Sequence, residues 1–138
     1  PFTGISPCGP DRIQMFVARH YMQDSWHAER LILRTDGFVS LNAPYSGGEA
    51  ITQPFTHTGS ELEINYRTGA SGSLRVEIQN ADGNPISGYA LSDCPEIVGD
   101  EITRIVTWQN GSSATDSSDP IRLRFSLKDA DLFSYKFN

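Results

Sequence analysis

A chain of 138 residues, 38% hydrophobic and 20% charged, is long enough for one domain that buries roughly two-thirds of its unfolded surface. Its 17 acidic against 11 basic residues leave a net charge of −6, so no basic surface suited to nucleic acid is expected. No apolar run approaches the ~20 residues that span a bilayer, and no membrane partner is expected either.

Residues 1–11 (PFTGISPCGPD) read as a Pro/Gly/Ser-rich arm or linker. They lack the basic start and apolar core of a signal peptide, and with no initiator Met the chain reads as part of a longer polypeptide. In residues 13–21 (IQMFVARHY), Ile13, Met15 and Val17 alternate with Gln14, Phe16 and Ala18. After a turn at Asp24-Ser25, residues 29–35 (ERLILRT) set Leu31 and Leu33 against Arg30, Ile32 and Arg34. A period of two means strand. Asp36-Gly37 then predicts a tight hairpin into residues 38–41, because Gly tolerates the positive φ of a type I′ turn.

Residues 42–48 (NAPYSGG) predict a loop, residues 49–55 a short extended piece, and His57-Thr58-Gly59-Ser60 another turn. The cleanest strands are 61–67 (ELEINYR) and 73–80 (SLRVEIQN). Leu62, Ile64 and Tyr66 form one inner face, Leu74, Val76 and Ile78 the next, and Ala70-Ser71-Gly72 is expected to join them as a hairpin. Asp82-Gly83-Asn84-Pro85 ends the second strand, and residues 86–101 are irregular. Residues 102–108 (ITRIVTW) form a further strand with no assignable inner face, since Ile105 and Val106 point opposite ways. A Ser/Asp-rich loop follows at 110–120.

Residues 120–137 (PIRLRFSLKDADLFSYKF) carry the strongest pattern. Ile121, Leu123, Phe125 and Leu127 fall on one side, Arg122, Arg124 and Ser126 on the other. Asp129-Ala130-Asp131 is expected to break the run. Leu132, Phe133, Tyr135 and Phe137 then resume it as an inner strand, with Phe133 and Tyr135 facing away from Leu132. Short strands between turn signals predict an all-β fold: a jelly-roll-like antiparallel two-sheet β-sandwich over residues 12–138.

Catalytic signatures are absent. There is no Gly-x-Ser-x-Gly elbow, phosphate loop or His-Glu-x-x-His, nor the Gln-Ile-His or Tyr-Phe-Lys-x-Gly-x-Tyr motifs of jelly-roll lyases. His20, His27 and His57 fall in or beside turns and read as solvated loop residues. Pairs of acids for glycoside hydrolysis can always be proposed among 17, so none is informative. Cys8 and Cys94 belong to no CxxC pair; one bridge between them is the alternative to free thiols, which their arm and turn settings favour. No cofactor is expected. A structural calcium ion is the one open option, on Asp129/Asp131 or Asp93/Asp100, in competition with turn and capping roles for these acids; Asp82-Gly83-Asn84 is better explained as a turn.

Binding suits this fold better than catalysis. Sugar rings stack their C–H faces on aromatic side chains while polar neighbours bond the hydroxyls. Trp26 in QDSWHAER and Tyr45 in APYSGG lie in polar loop settings, with Arg34 and Glu49 as hydrogen-bonding neighbours. Trp108 is a further candidate, although it closes a strand where core packing competes. The outward face with Glu63, Arg67, Arg75, Glu77, Arg122 and Arg124 is a second surface to consider.

Residues 34–45 (RTDGFVSLNAPY), Gly47-Gly48-Glu49, 72–82 (GSLRVEIQNAD), 88–94 (GYALSDC), Gly99-Asp100-Glu101 and 122–137 together resemble a recognisable module. It is similar to the carboxy-terminal β-sandwich of large bacterial glycosyl hydrolases, in which a five-bladed propeller of the β-fructosidase and arabinanase type comes first. The resemblance covers residues 12–138. It implies a secreted or cell-surface parent whose catalytic acids lie in the linked propeller. It also implies a non-catalytic module that either binds a polysaccharide or oligosaccharide or buttresses the catalytic domain.

Overall fold

A computed structural model describes residues 4–109, 111, 113–114 and 119–138. The loop expected at 110–120 lies partly outside them. The fold is all-β: the described residues contain no helix and form antiparallel sheets of three and five strands, as a β-sandwich requires. The chain divides into two compact units, residues 1–39 and 40–138.

The first unit is a three-stranded sheet in the order β1 (Ser6–Pro7), β2 (Arg12–Arg19), β3 (His27–Arg34). Ile13 lies opposite Leu33 and Met15 opposite Leu31, so the apolar alternation of both strands meets on one face. The connection between β2 and β3 holds His20 and Met22 at positive φ, and Tyr21, Met22 and Trp26 are exposed on it. The Asp36-Gly37 turn is present, with Gly37 N donating to Arg34 O at 3.0 Å. The hairpin expected there is not. Turn geometry runs through residues 35–38, too long for a two-residue type I′ connection, and the next strand, β4 (Leu41–Ala43), pairs with the carboxy-terminal strand instead.

The second unit contains β4, β5 (Gly48–Ile51), β6 (Leu62–Asn80), β7 (Asp100–Ile105) and β8 (Ile121–Phe137). Its sheet runs β4-β8-β6-β7, and β5 pairs β8 over Arg124–Leu127. Here the sequence misleads at one point. Residues 62–67 and 73–80 are not the arms of a hairpin but the two ends of the single strand β6, and both pair with β8. Thr68 lies opposite Ala130 and Ser73 opposite Lys128, so residues 69–72 bulge out against the single residue Asp129.

The acidic stretch of β8 accordingly shifts the strand rather than breaking it. Asp129 adopts φ 43°, which moves the inward positions from Leu127 to Ala130 and Leu132. A second irregularity skips Phe133 and brings Tyr135 opposite Ile64 and Phe137 opposite Leu62. Tyr135 and Phe137 therefore share the side of Leu132, contrary to the expected alternation.

The expected inner residues Leu62, Ile64, Tyr66, Leu74, Val76, Ile78, Ile121, Leu123, Phe125 and Leu127 are all buried, whereas in the last stretch of β8 only Leu132 is: Phe133 and Phe137 are half-buried and Tyr135 is 39% exposed. Cys94, Ile97, Val106, Trp108 and Ala114 join the buried residues in one cluster. β7 ends at Ile105, and Val106 and Trp108 then turn into that cluster, which resolves the ambiguous face of residues 102–108. Both cysteines are free thiols, and burial raises the pKa of Cys94.

Candidate functional site

The turn from β4 to β5 is fastened to β8 at Asp129, opposite the bulge of β6. Gly47, at φ 87°, donates its N–H to Pro44 O at 2.9 Å, and Asp129 N donates to the same carbonyl at 3.0 Å. This double anchor fixes the Tyr45-Ser46 corner beside Lys128. Pairing of Glu49 with Ser126 then places the β5 carboxylate on the outward face of β8. Between them lies an open depression of about 640 Å³, lined by Tyr45, Ser46, Gly47, Gly48, Glu49, Ser126, Leu127 and Lys128. Tyr45 is 63% exposed, and the Lys128 ammonium sits 4.3 Å from its ring centroid, a cation–π contact on one face.

Charge at the other end is held by a relay. Arg124 donates to both Glu49 oxygens, at 2.7 and 3.2 Å, and Nη1 reaches Glu77 at 3.4 Å. Glu77 is 3% exposed and also accepts from Gln79 Nε2 at 2.7 Å and Leu91 N at 3.0 Å. Burial alone would raise its pKa, but these hydrogen bonds and Arg124 outweigh it and hold the carboxyl below its ordinary 4.5. A depressed folded-state value means stability that is present above the unfolded value and lost as pH falls through the folded one. Glu77→Gln should therefore cost about 1–3 kcal/mol at pH 7. The difference from wild type should shrink below about pH 4.5 in urea melts across pH; a difference unchanged by pH would refute the charged role.

Other acids are committed elsewhere. Asp131 accepts from Ser40, Asn42 and Arg67 at 2.8–2.9 Å, and these bonds outweigh burial and lower its pKa. Asp93 accepts from Ala90 N, while Asn80 Oδ1 accepts from Asp82 N and Asn84 N in the turn after β6. Among the described residues no group of three or more His, Cys, Asp or Glu is placed to hold a metal ion. Tyr66 donates to Val98 O and Glu101, and burial together with that carboxylate pushes its pKa up to about 12.

Of the residues picked out from sequence, Tyr45 and Glu49 line a common depression. Trp26 and Arg34 belong to the first unit, where Trp26 is 48% exposed at the end of the β2–β3 loop. Trp108 is a correction: it is 3% exposed, its Nε1 donates to Val76 O at 2.9 Å, and Tyr89 packs edge-on against it. A ring so enclosed has no face for a ligand. His57 is a second correction, being half-buried and stacked on Phe137 at 3.8 Å rather than solvated. Nothing in the sequence marks Ser126 and Lys128 as site residues. Alternation alone puts them on the outward face of β8, but their meeting with the Tyr45 corner depends on the bulge at Asp129.

The second surface considered from sequence is closed by internal pairs. Arg67 meets Asp131, Arg75 meets Glu96, Lys136 meets Glu63, and Arg122 donates to Ala81 O. Comparison of the chain with family models, with curated proteins and with solved structures gives no match.

Proposed function

We propose that this protein binds carbohydrate without cleaving it, as an accessory module of a polysaccharide-degrading enzyme in a secreted or cell-surface parent. The observation that carries the reading is the exposed Tyr45 ring at the wall of an open depression whose other side offers a carboxylate and a hydroxyl. Lys128 occupies one face of that ring, so a pyranose stacks on the other. Its hydroxyls then fall toward Ser126 and Glu49, and Arg124 keeps the Glu49 carboxylate oriented. The resemblance of residues 12–138 to a glycosidase-linked sandwich supports the same parent. Affinities of the order of micromolar to millimolar, ~4–8 kcal/mol, suit one aromatic platform with few polar contacts.

Affinity electrophoresis against soluble polysaccharides tests this. Tyr45→Ala should weaken retention by roughly tenfold or more, as loss of a binding anchor does. Because the ring is largely solvated, the melting temperature should stay at the parental value. Retention unchanged in Tyr45→Ala but lost in Trp26→Ala would move the platform to the first unit. Should no polysaccharide be retained, Tyr21, Met22 and Trp26, all exposed on the β2–β3 connection, favour the alternative of an accessory domain that packs on a linked catalytic domain.

A further inference from the structure

Resting on the reading of this depression as a glycan site, we infer that it selects acidic sugars, with Lys128 taking the carboxylate or sulfate of the ligand. The depression has two chemically different ends. At one, Glu49 is already held by Arg124 through two bonds, so the carboxylate is fixed in place and its free lone pairs suit hydroxyl donors. At the other, Lys128 is the only cationic side chain of the lining, and no carboxylate pairs with it among the described residues. Its ammonium lies against the Tyr45 ring instead.

The contrast within β8 is informative. Of the other cations of the strand, Arg124 and Lys136 each have a carboxylate partner in Glu49 and Glu63, and Arg122 donates to Ala81 O. Lys128 instead holds its charge over the one exposed aromatic ring of the depression. A ligand that stacks on Tyr45 therefore brings its substituents beside an ammonium whose positive charge no protein carboxylate neutralises. An anionic substituent gains a charge-assisted hydrogen bond there. A neutral sugar gains only stacking and the hydroxyl contacts at the Glu49 end. Alternation along β8 places Lys128, Ser126 and Arg124 on one face at ~7 Å intervals. A chain lying along β8 thus meets the cationic end first and the hydroxyl-accepting end after it.

The test compares retention of the whole protein by alginate, a polyuronate, by a sulfated galactan and by its neutral counterpart. Wild type should bind at least one acidic polymer roughly tenfold or more tightly than the neutral one, and that preference should fade as salt rises. Preference for alginate or for the sulfated galactan distinguishes carboxylate from sulfate. Lys128→Gln should collapse the acidic-to-neutral ratio toward one, and Lys128→Arg should restore it. Lys136→Gln, an equal change of net charge at a cation paired with Glu63, should leave the ratio intact. Equal retention of acidic and neutral polymers, or a ratio that Lys128→Gln leaves unchanged, overturns the inference while the glycan site stands. Retention of no polymer by wild type overturns both.

Discussion

A chain that lacks residues 132–138 is expected to lose cooperative unfolding altogether. Those residues are not a tail: they supply the half of β8 that pairs with Leu62–Tyr66 of β6. The ladder continues to the last residue, where Asn138 donates to Glu61 O at 3.0 Å and accepts from Ser60 N at 2.8 Å. Their removal leaves one side of β6 without its hydrogen-bonding neighbour. It also uncovers Leu62, Ile64 and Tyr66, which are fully buried in the intact chain, and deletes Leu132 from the core. Burial of each such side chain is worth about 1.5–3 kcal/mol. Four of them rival the roughly 5–15 kcal/mol by which a domain is stable. Circular dichroism of the truncated chain should show no cooperative melt. A sharp transition near the parental temperature would mean that β6 holds its place without this partner.

Much of this architecture is legible in the sequence, and what is not has a common cause. Strict alternation in 62–66, 74–78 and 121–127 identifies strands and their inner faces correctly, because burial on one side imposes a period of two. Gly and Asp clusters mark the irregular positions equally well. What those clusters do there is set by the partner strand, not by the cluster. Ala70-Ser71-Gly72 has the composition of a hairpin turn, yet it is a bulge, because β8 continues past it and pairs with both halves of β6. Asp36-Gly37 forms its turn, but its following strand finds a different partner in β8. The site follows the same rule. Tyr45 and Glu49 are recognisable as a loop aromatic and its polar neighbour, while Ser126 and Lys128 join them only through a register fixed some eighty residues away along the chain. Trp108 shows the reverse error: its position at a strand end leaves both readings open, and the acceptor that secures it in the core, Val76 O, lies on β6.

The bulge gives the second large effect, and it separates two glycines that look alike in sequence. A Cβ on Gly72 would stand 2.2 Å from the backbone oxygen of Asp129 and 2.8 Å from that of Lys128. Neither atom can yield without parting β6 from β8, so Gly72→Ala should cost about 3 kcal/mol or more. A Cβ on Gly69 would stand 1.9 Å from Oδ2 of the Asp129 side chain, with Cγ at 2.5 Å. That obstacle is a side chain, and removing it removes the clash. Asp129 itself sits at φ 43°, where glycine is at ease, so Asp129→Gly is a benign background. In this background Gly69→Ala should recover most of its loss, with a coupling of about 1 kcal/mol or more, whereas Gly72→Ala should recover almost none. Urea melts of the single and double variants measure both couplings. Because Asp129 N also holds Pro44 O, Gly72→Ala should in addition loosen the Tyr45 corner and weaken the proposed glycan retention beyond what its stability loss explains. Equal rescue of the two glycines by Asp129→Gly, or a Gly72→Ala variant as stable as the parent, would show that the bulge accommodates a side chain and that β8 does not fix this corner.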